Sequence, residues 1–83
     1  MDSKDATLAM LGKRLRNARE AKGFSQRELA RRCGVHRTYV GAVERGECNI
    51  TILTLRKLVR TLGLTLEEVF DDVDHPRSYR TAE

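Results

Sequence analysis

Four glycines constrain most of what this chain can become. Gly23, Gly34, Gly46 and Gly63 each follow a short stretch whose apolar residues recur at helical spacing. A glycine directly after such a stretch reads as a helix stop, because it takes a left-handed backbone without steric penalty. No segment alternates apolar and polar residues as a half-buried strand would. The expectation is therefore an all-α fold of five short helices, at about 6–22, 25–33, 36–45, 54–62 and 65–72.

Each stretch carries its own register. Leu8, Leu11, Leu15 and Ala18 line one face of the first helix. Ser25-Gln26-Arg27-Glu28 has the spacing of a capping box, with Leu29, Ala30 and Cys33 facing inward behind it. Val35, Tyr39, Val40 and Val43 give the third helix its apolar side. Leu55, Leu58, Val59 and Leu62 follow Thr54, which is expected to cap the fourth helix. Thr65-Leu66-Glu67-Glu68 is a second capping box ahead of Val69 and Phe70. Residues 1–73 make one domain, and 74–83 have no periodicity and read as a loose tail. Aromatic residues are 5% of the chain, so the core must be aliphatic.

Several functions find no support in the composition. No apolar run approaches the roughly 18 residues that span a bilayer, and the first residues lack the layout of a secretion signal. A cytoplasmic protein is expected, with Cys33 and Cys48 as free thiols. Cys33 and His36 form a lone CxxH, and His75 is remote, so no metal site is expected. There is no carboxylate pair, nucleophile–base pair or phosphate loop; neither an enzyme nor a cofactor is implied, and no small-molecule sensor is evident. Charge points elsewhere. Between Lys13 and Arg60 there are 13 basic and 4 acidic residues, whereas 61–83 hold 2 basic and 6 acidic. A basic body with an acidic end suits a polyanion on one face and another partner on the other.

The third helix shows what that polyanion is. Gly41 and Ala42 sit in its middle, although Gly costs about 1 kcal/mol against Ala in a helix interior. At 100° per residue, Arg37, Thr38, Gly41, Ala42 and Arg45 share the face opposite Val40 and Val43. That face has donors at its ends and little bulk in its centre, as a helix lying deep in the DNA major groove would require. Arg37 is placed to take guanine O6 and N7, and Thr38 to meet a base edge or a thymine methyl. Arg45 and the amide end of the second helix at Gln26 are placed for phosphates. The other explanation is that Gly41 and Ala42 pack closely against a neighbouring helix.

Helix two, Gly34 and helix three form a helix-turn-helix, and the pattern GxxLRxxRxxKGxSQxxLAxxxGVxRxYVxxVERG runs from Gly12 to Gly46. Residues 12–72 thereby resemble the repressor/Cro-like (XRE-type) helix-turn-helix DNA-binding domains of bacterial and phage regulators. Arg37-Thr38-Tyr39, Glu44-Arg45 and Asn49-Ile50-Thr51-Ile52 are similar to the controller proteins of restriction–modification systems. The resemblance implies a five-helix, sequence-specific transcription regulator that binds double-stranded DNA as a homodimer. By it, Arg37 and Thr38, with Tyr39, Gly41 and Ala42 as further candidates, face bases, while Gln26 and Arg45 meet phosphate. His36 stands where the family often has Ser, Thr or Asp. It is a poor cap, and reads as a phosphate contact or as an exposed filler.

Tyr39 is expected to wedge against helix two with its hydroxyl toward the DNA backbone. Glu44 is expected to pair with Arg27 or Arg31, and Arg14, Arg19, Arg31 and Arg32 are open between phosphate and solvent. Ile52, Leu53, Leu64, Leu66, Val69 and Phe70 are more apolar residues than two short helices need, and are assigned to a dimer interface. Leu53, apolar where the family commonly has a polar residue, is the favoured anchor. For Val69 and Phe70 the alternative is that they complete the core of one chain. A second functional reading is an antitoxin-like regulator that masks a protein partner and also binds its own promoter.

Overall fold

The computed structural model of the chain describes residues 3–70. Five helices follow one another: α1 Ser3–Ala21, α2 Gln26–Cys33, α3 Arg37–Glu44, α4 Ile52–Thr61 and α5 Leu66–Phe70. No described residue is in a strand. Residues 71 and 72 of the expected fifth helix, and the tail 74–83, lie outside the described residues. No helix among the described residues is long and apolar enough to cross a membrane.

The four glycines stop their helices in one way. Each has φ between 71° and 77°, and the amide after each glycine reaches back to a carbonyl five residues earlier. These bonds run from Phe24 to Arg19 (3.1 Å), Val35 to Ala30 (3.0 Å), Glu47 to Ala42 (2.9 Å) and Leu64 to Val59 (2.9 Å). With the accompanying bond from each glycine amide, these are Schellman turns, which satisfy carbonyls that the helix end would leave bare. Phe24, Val35 and Leu64 then pack against the core, so the stop also aims the next segment inward.

The helix starts are less uniform. Ser25 Oγ accepts from the Glu28 amide at 3.0 Å, but the Glu28 carboxylate does not return to Ser25. It binds Arg31 (2.6 Å) and Arg32 (2.7 Å) instead, so the first expected capping box is half formed. At Thr65 and Glu68 both halves are present, at 2.8 and 3.0 Å. Helix four starts earlier than expected. Its cap is Thr51, whose Oγ1 accepts from the Thr54 amide at 3.2 Å, not Thr54. Ile52 and Leu53 therefore belong to its first turn.

The core is aliphatic: Leu11 and Leu15 from α1, Leu29, Ala30 and Cys33 from α2, Val40 and Val43 from α3, Leu55, Leu58, Val59 and Leu62 around α4, and Val69 from α5. Cys33 and Cys48 are both free thiols. Helix α1 runs against α3, and Gly12 lies directly against the last turn of α3. A Cβ there would collide with the carbonyl oxygen of Val43 and stand 2.6 Å from that of Glu44. Helix α5 is tied back to α1 by Arg14, whose guanidinium donates to the Val69 carbonyl at 3.0 Å. Arg14 is thus a cap for the short last helix. The result is a rigid base on which the α2–α3 corner stands.

Candidate nucleic-acid interface

The corner is built from the inside outward. Cys33 and Ala30 on α2 meet Val40 and Val43 on α3 in the core, and Gly34 turns the chain between them. Beneath the corner lies a polar knot. Arg19 of α1 holds Glu44 of α3 through Nε to Oε2 at 2.6 Å and NH2 to Oε1 at 3.1 Å. Its NH1 donates to the Phe24 carbonyl at 2.7 Å. Gln26, the first residue of α2, donates its side-chain amide to Glu44 Oε1 at 3.0 Å. The side chains of Arg19 and Glu44 are only 10% and 4% exposed. Glu44 is therefore an ion-pair partner, as expected of it, but of Arg19 and not of Arg27 or Arg31. The hydrogen bond to Glu44 raises the Arg19 pKa above its usual value, with burial opposing it. Three helices are joined at one carboxylate.

Gly41 lies next to this knot and is buried. A Cβ on it would stand 3.1 Å from Arg45 NH1 and 3.4 Å from Gln26 Oε1. The expected open face with Gly41 at its centre is corrected accordingly: the side chains of Gln26 and Arg45 close over it. A helical wheel of α3 alone could not show this, because the covering group comes from α2. The absent side chain at 41 leaves room for Gln26, and so gathers Gln26, Gly41 and Arg45 into one cluster. Arg45 is exposed and pairs with Glu47 at 3.1 Å.

At the other end of α3, Arg37 and Thr38 are exposed. Arg37 and Arg27 make no ion pair among the described residues. Arg31 and Arg32 are occupied by Glu28, which holds that carboxyl below the usual carboxylate range; the hydrogen bond from Arg31 is the largest cause. His36 corrects the expectation that it is a poor cap. Its Nδ1 accepts from the Thr38 amide at 3.1 Å and lies 2.7 Å from Thr38 Oγ1. His36 caps α3 in the manner of Ser or Asp.

Tyr39 is half-buried against the core that α2 helps to form, with its hydroxyl on the side of Cys48, Thr54 and Thr51. Burial chiefly, and then Cys48, push its pKa above the usual 10.0, while Thr54 and Thr51 pull the other way. It joins α3 to the loop before α4. Ala42 is half-buried. Of the six residues assigned to a dimer interface, Val69 is 1% exposed and belongs to the core. Leu64 packs against the core as well. Ile52 and Leu53 are 65% and 67% exposed, and Leu66 and Phe70 about 40%.

The helix-turn-helix family HTH_3 matches residues 15–69, from the middle of α1 to the end of α5. The chain belongs to this family. It is 48% identical over 56 residues to a hypothetical transcription factor of Neisseria meningitidis, 68% of this chain and 53% of that protein; it thus spans about half that relative's length. The restriction–modification controller protein C.AhdI from Aeromonas hydrophila has the same fold, with a TM-score of 0.75 and 45% identity over 78% of this chain and 98% of its own. The controller protein C.Esp1396I, solved as a tetramer with its natural 35 base-pair operator, aligns with a TM-score of 0.71 and 28% identity. That match covers 78% of this chain and 86% of the controller. The resemblance to helix-turn-helix regulators, and to controllers among them, therefore holds for fold and kinship alike.

Proposed function

We propose that this HTH_3 chain is a sequence-specific transcription regulator that inserts the first turn of α3 into the major groove, as the controller of a restriction–modification system. The observation that carries this reading is the contrast within α3. Its buried end is fixed by Arg19, Glu44 and Gln26, while Arg37 and Thr38 stand exposed on a capped first turn. A guanidinium held on a rigid element with no internal partner suits bidentate readout of guanine. Thr38 and Ala42 complete the base-facing set, while Gly41, buried beneath them, makes room for the side chains of Gln26 and Arg45. Gln26, His36 and Arg45 are assigned to phosphates; Tyr39, expected there as well, is turned toward Cys48, Thr54 and Thr51 and instead holds α3 against the loop before α4. The role is one of binding and not of catalysis.

A single first turn reads few base pairs, too few to find one site in a genome. We infer a two-fold homodimer joined through Ile52, Leu53, Leu66 and Phe70, whose exposure on α4 and α5 supports this assignment. The operator complex of C.Esp1396I is that of an oligomer, which supports the same reading. Two-fold symmetry implies a near-palindromic site with half-sites about 34 Å apart on one face of the duplex. Selection of bound sequences from random DNA tests the proposal. A palindrome with that spacing is expected; an unspaced or asymmetric consensus contradicts the dimer, and no consensus contradicts the regulator.

A further inference from the structure

The cap of α3 also determines what Thr38 can say to a base. The Thr38 amide can only donate, so Nδ1 of His36, 3.1 Å away, must accept and carries no proton. Thr38 Oγ1 lies 2.7 Å from the same nitrogen. With no hydrogen on Nδ1, the hydroxyl has to be the donor of that contact. Its one hydrogen is then used inside the protein, and only its lone pairs and the methyl group remain for a partner.

We propose that His36 is a positioning residue for base readout, which fixes Thr38 as a hydrogen-bond acceptor at the DNA surface. The inference rests on the major-groove reading of α3 given above. In the major groove the available donors are the N6 amino group of adenine and the N4 amino group of cytosine, whereas guanine O6 and thymine O4 are acceptors. Thr38 therefore selects an amino-bearing base at the position it meets, and disfavours exchange of adenine for guanine or cytosine for thymine there. To donate to a keto oxygen, the hydroxyl would first have to leave His36.

Site selection followed by competition binding separates this from simple capping. Four proteins are compared: wild type, Thr38→Val, His36→Ala and His36→Asn. Wild type is expected to prefer the amino base over its keto counterpart at one position per half-site by roughly 5-fold. Thr38→Val removes the acceptor and the preference. His36→Ala frees the hydroxyl to turn either way, so the preference falls to about parity. His36→Asn, whose side-chain oxygen can accept from both the amide and the hydroxyl, keeps it. A structural role alone would weaken binding to all sequences equally, leaving the wild-type preference intact in His36→Ala; that result overturns the proposal. So does loss of the preference in a folded His36→Asn. If His36→Ala does not fold, the His36→Asn comparison decides. If wild type selects no sequence, the DNA reading itself fails, a result distinct from a lost preference at one base pair.

Discussion

The two ends of α3 are built by opposite rules. At its C-terminal end Glu44 is buried and shared by Arg19 and Gln26, Gly12 brings α1 to within contact of the backbone, and Gly41 is covered. At its N-terminal end Arg37 and Thr38 are exposed and His36 caps the turn, while Tyr39 and Val40 behind them pack inward. The difference teaches how a domain this small reaches precision. A base-reading side chain is useful only if its helix does not rock, and here the rigidity comes from the opposite end of the helix, where Glu44 is buried. The charged residues divide the same way: the buried pair holds, and the unpaired arginine is available to bind.

Breaking the locked end should have the largest effect. Glu44→Ala leaves the buried Arg19 guanidinium with the Phe24 carbonyl and an exposed Glu20 carboxylate 4.0 Å away, removes the partner of Gln26, and should lower the unfolding free energy by about 3–5 kcal/mol. Urea denaturation measures it; a loss below about 1 kcal/mol would show that the two ends are not so different. Gly41→Gln should cost about 1–3 kcal/mol, because the new side chain must displace Gln26. Gly41→Ala should stay within about 1 kcal/mol, since the tip of Arg45 can move aside while helix propensity improves.

A smaller effect belongs to the side of α3 that faces the α4 loop. Tyr39→Phe removes a partly buried hydroxyl and should cost about 0.5–1.5 kcal/mol near neutrality. It also has a signature in pH. Because the folded protein holds the Tyr39 pKa above 10.0, the neutral phenol stabilises the fold below that value, and this contribution is lost as pH rises through the higher folded pKa. Melting temperatures followed through that alkaline range should fall less in Tyr39→Phe than in wild type. The least effect on stability is expected at the exposed apolar patch. Leu53→Glu should change the unfolding free energy by no more than about 0.5 kcal/mol, yet shift the sedimenting species from dimer to monomer at micromolar concentration. A wild type that is monomeric would remove the patch from the account.

What was legible in the sequence follows the same division. Helix ends were readable because a glycine after a helical register has one cheap use, and the structure uses all four alike. The start of α4 was not, because Leu53 breaks the register of Leu55 and Leu58 and Ile52, though in register, stays 65% exposed, hiding Thr51 as the cap. The partner of Glu44 could not be read: Arg19 lies 25 residues away on another helix, and no local spacing joins them. Gly41 was misplaced because a wheel drawn for one helix ignores a side chain arriving from another. Helix α5 has five residues, too few for a register to separate buried Val69 from exposed Phe70. Residue type alone makes His36 look a poor cap, whereas its Nδ1 is placed to accept from the Thr38 amide.

The central claim is that Arg37 reads bases from a turn whose stability does not depend on it. Fluorescence anisotropy titration of wild type and Arg37→Ala against a selected site and a random duplex, at one fixed salt concentration, tests it most directly. Arg37→Ala should lose about 1–3 kcal/mol on the selected site, with random-duplex binding and thermal unfolding unchanged. An equal loss on both duplexes would make Arg37 a phosphate anchor and contradict the claim.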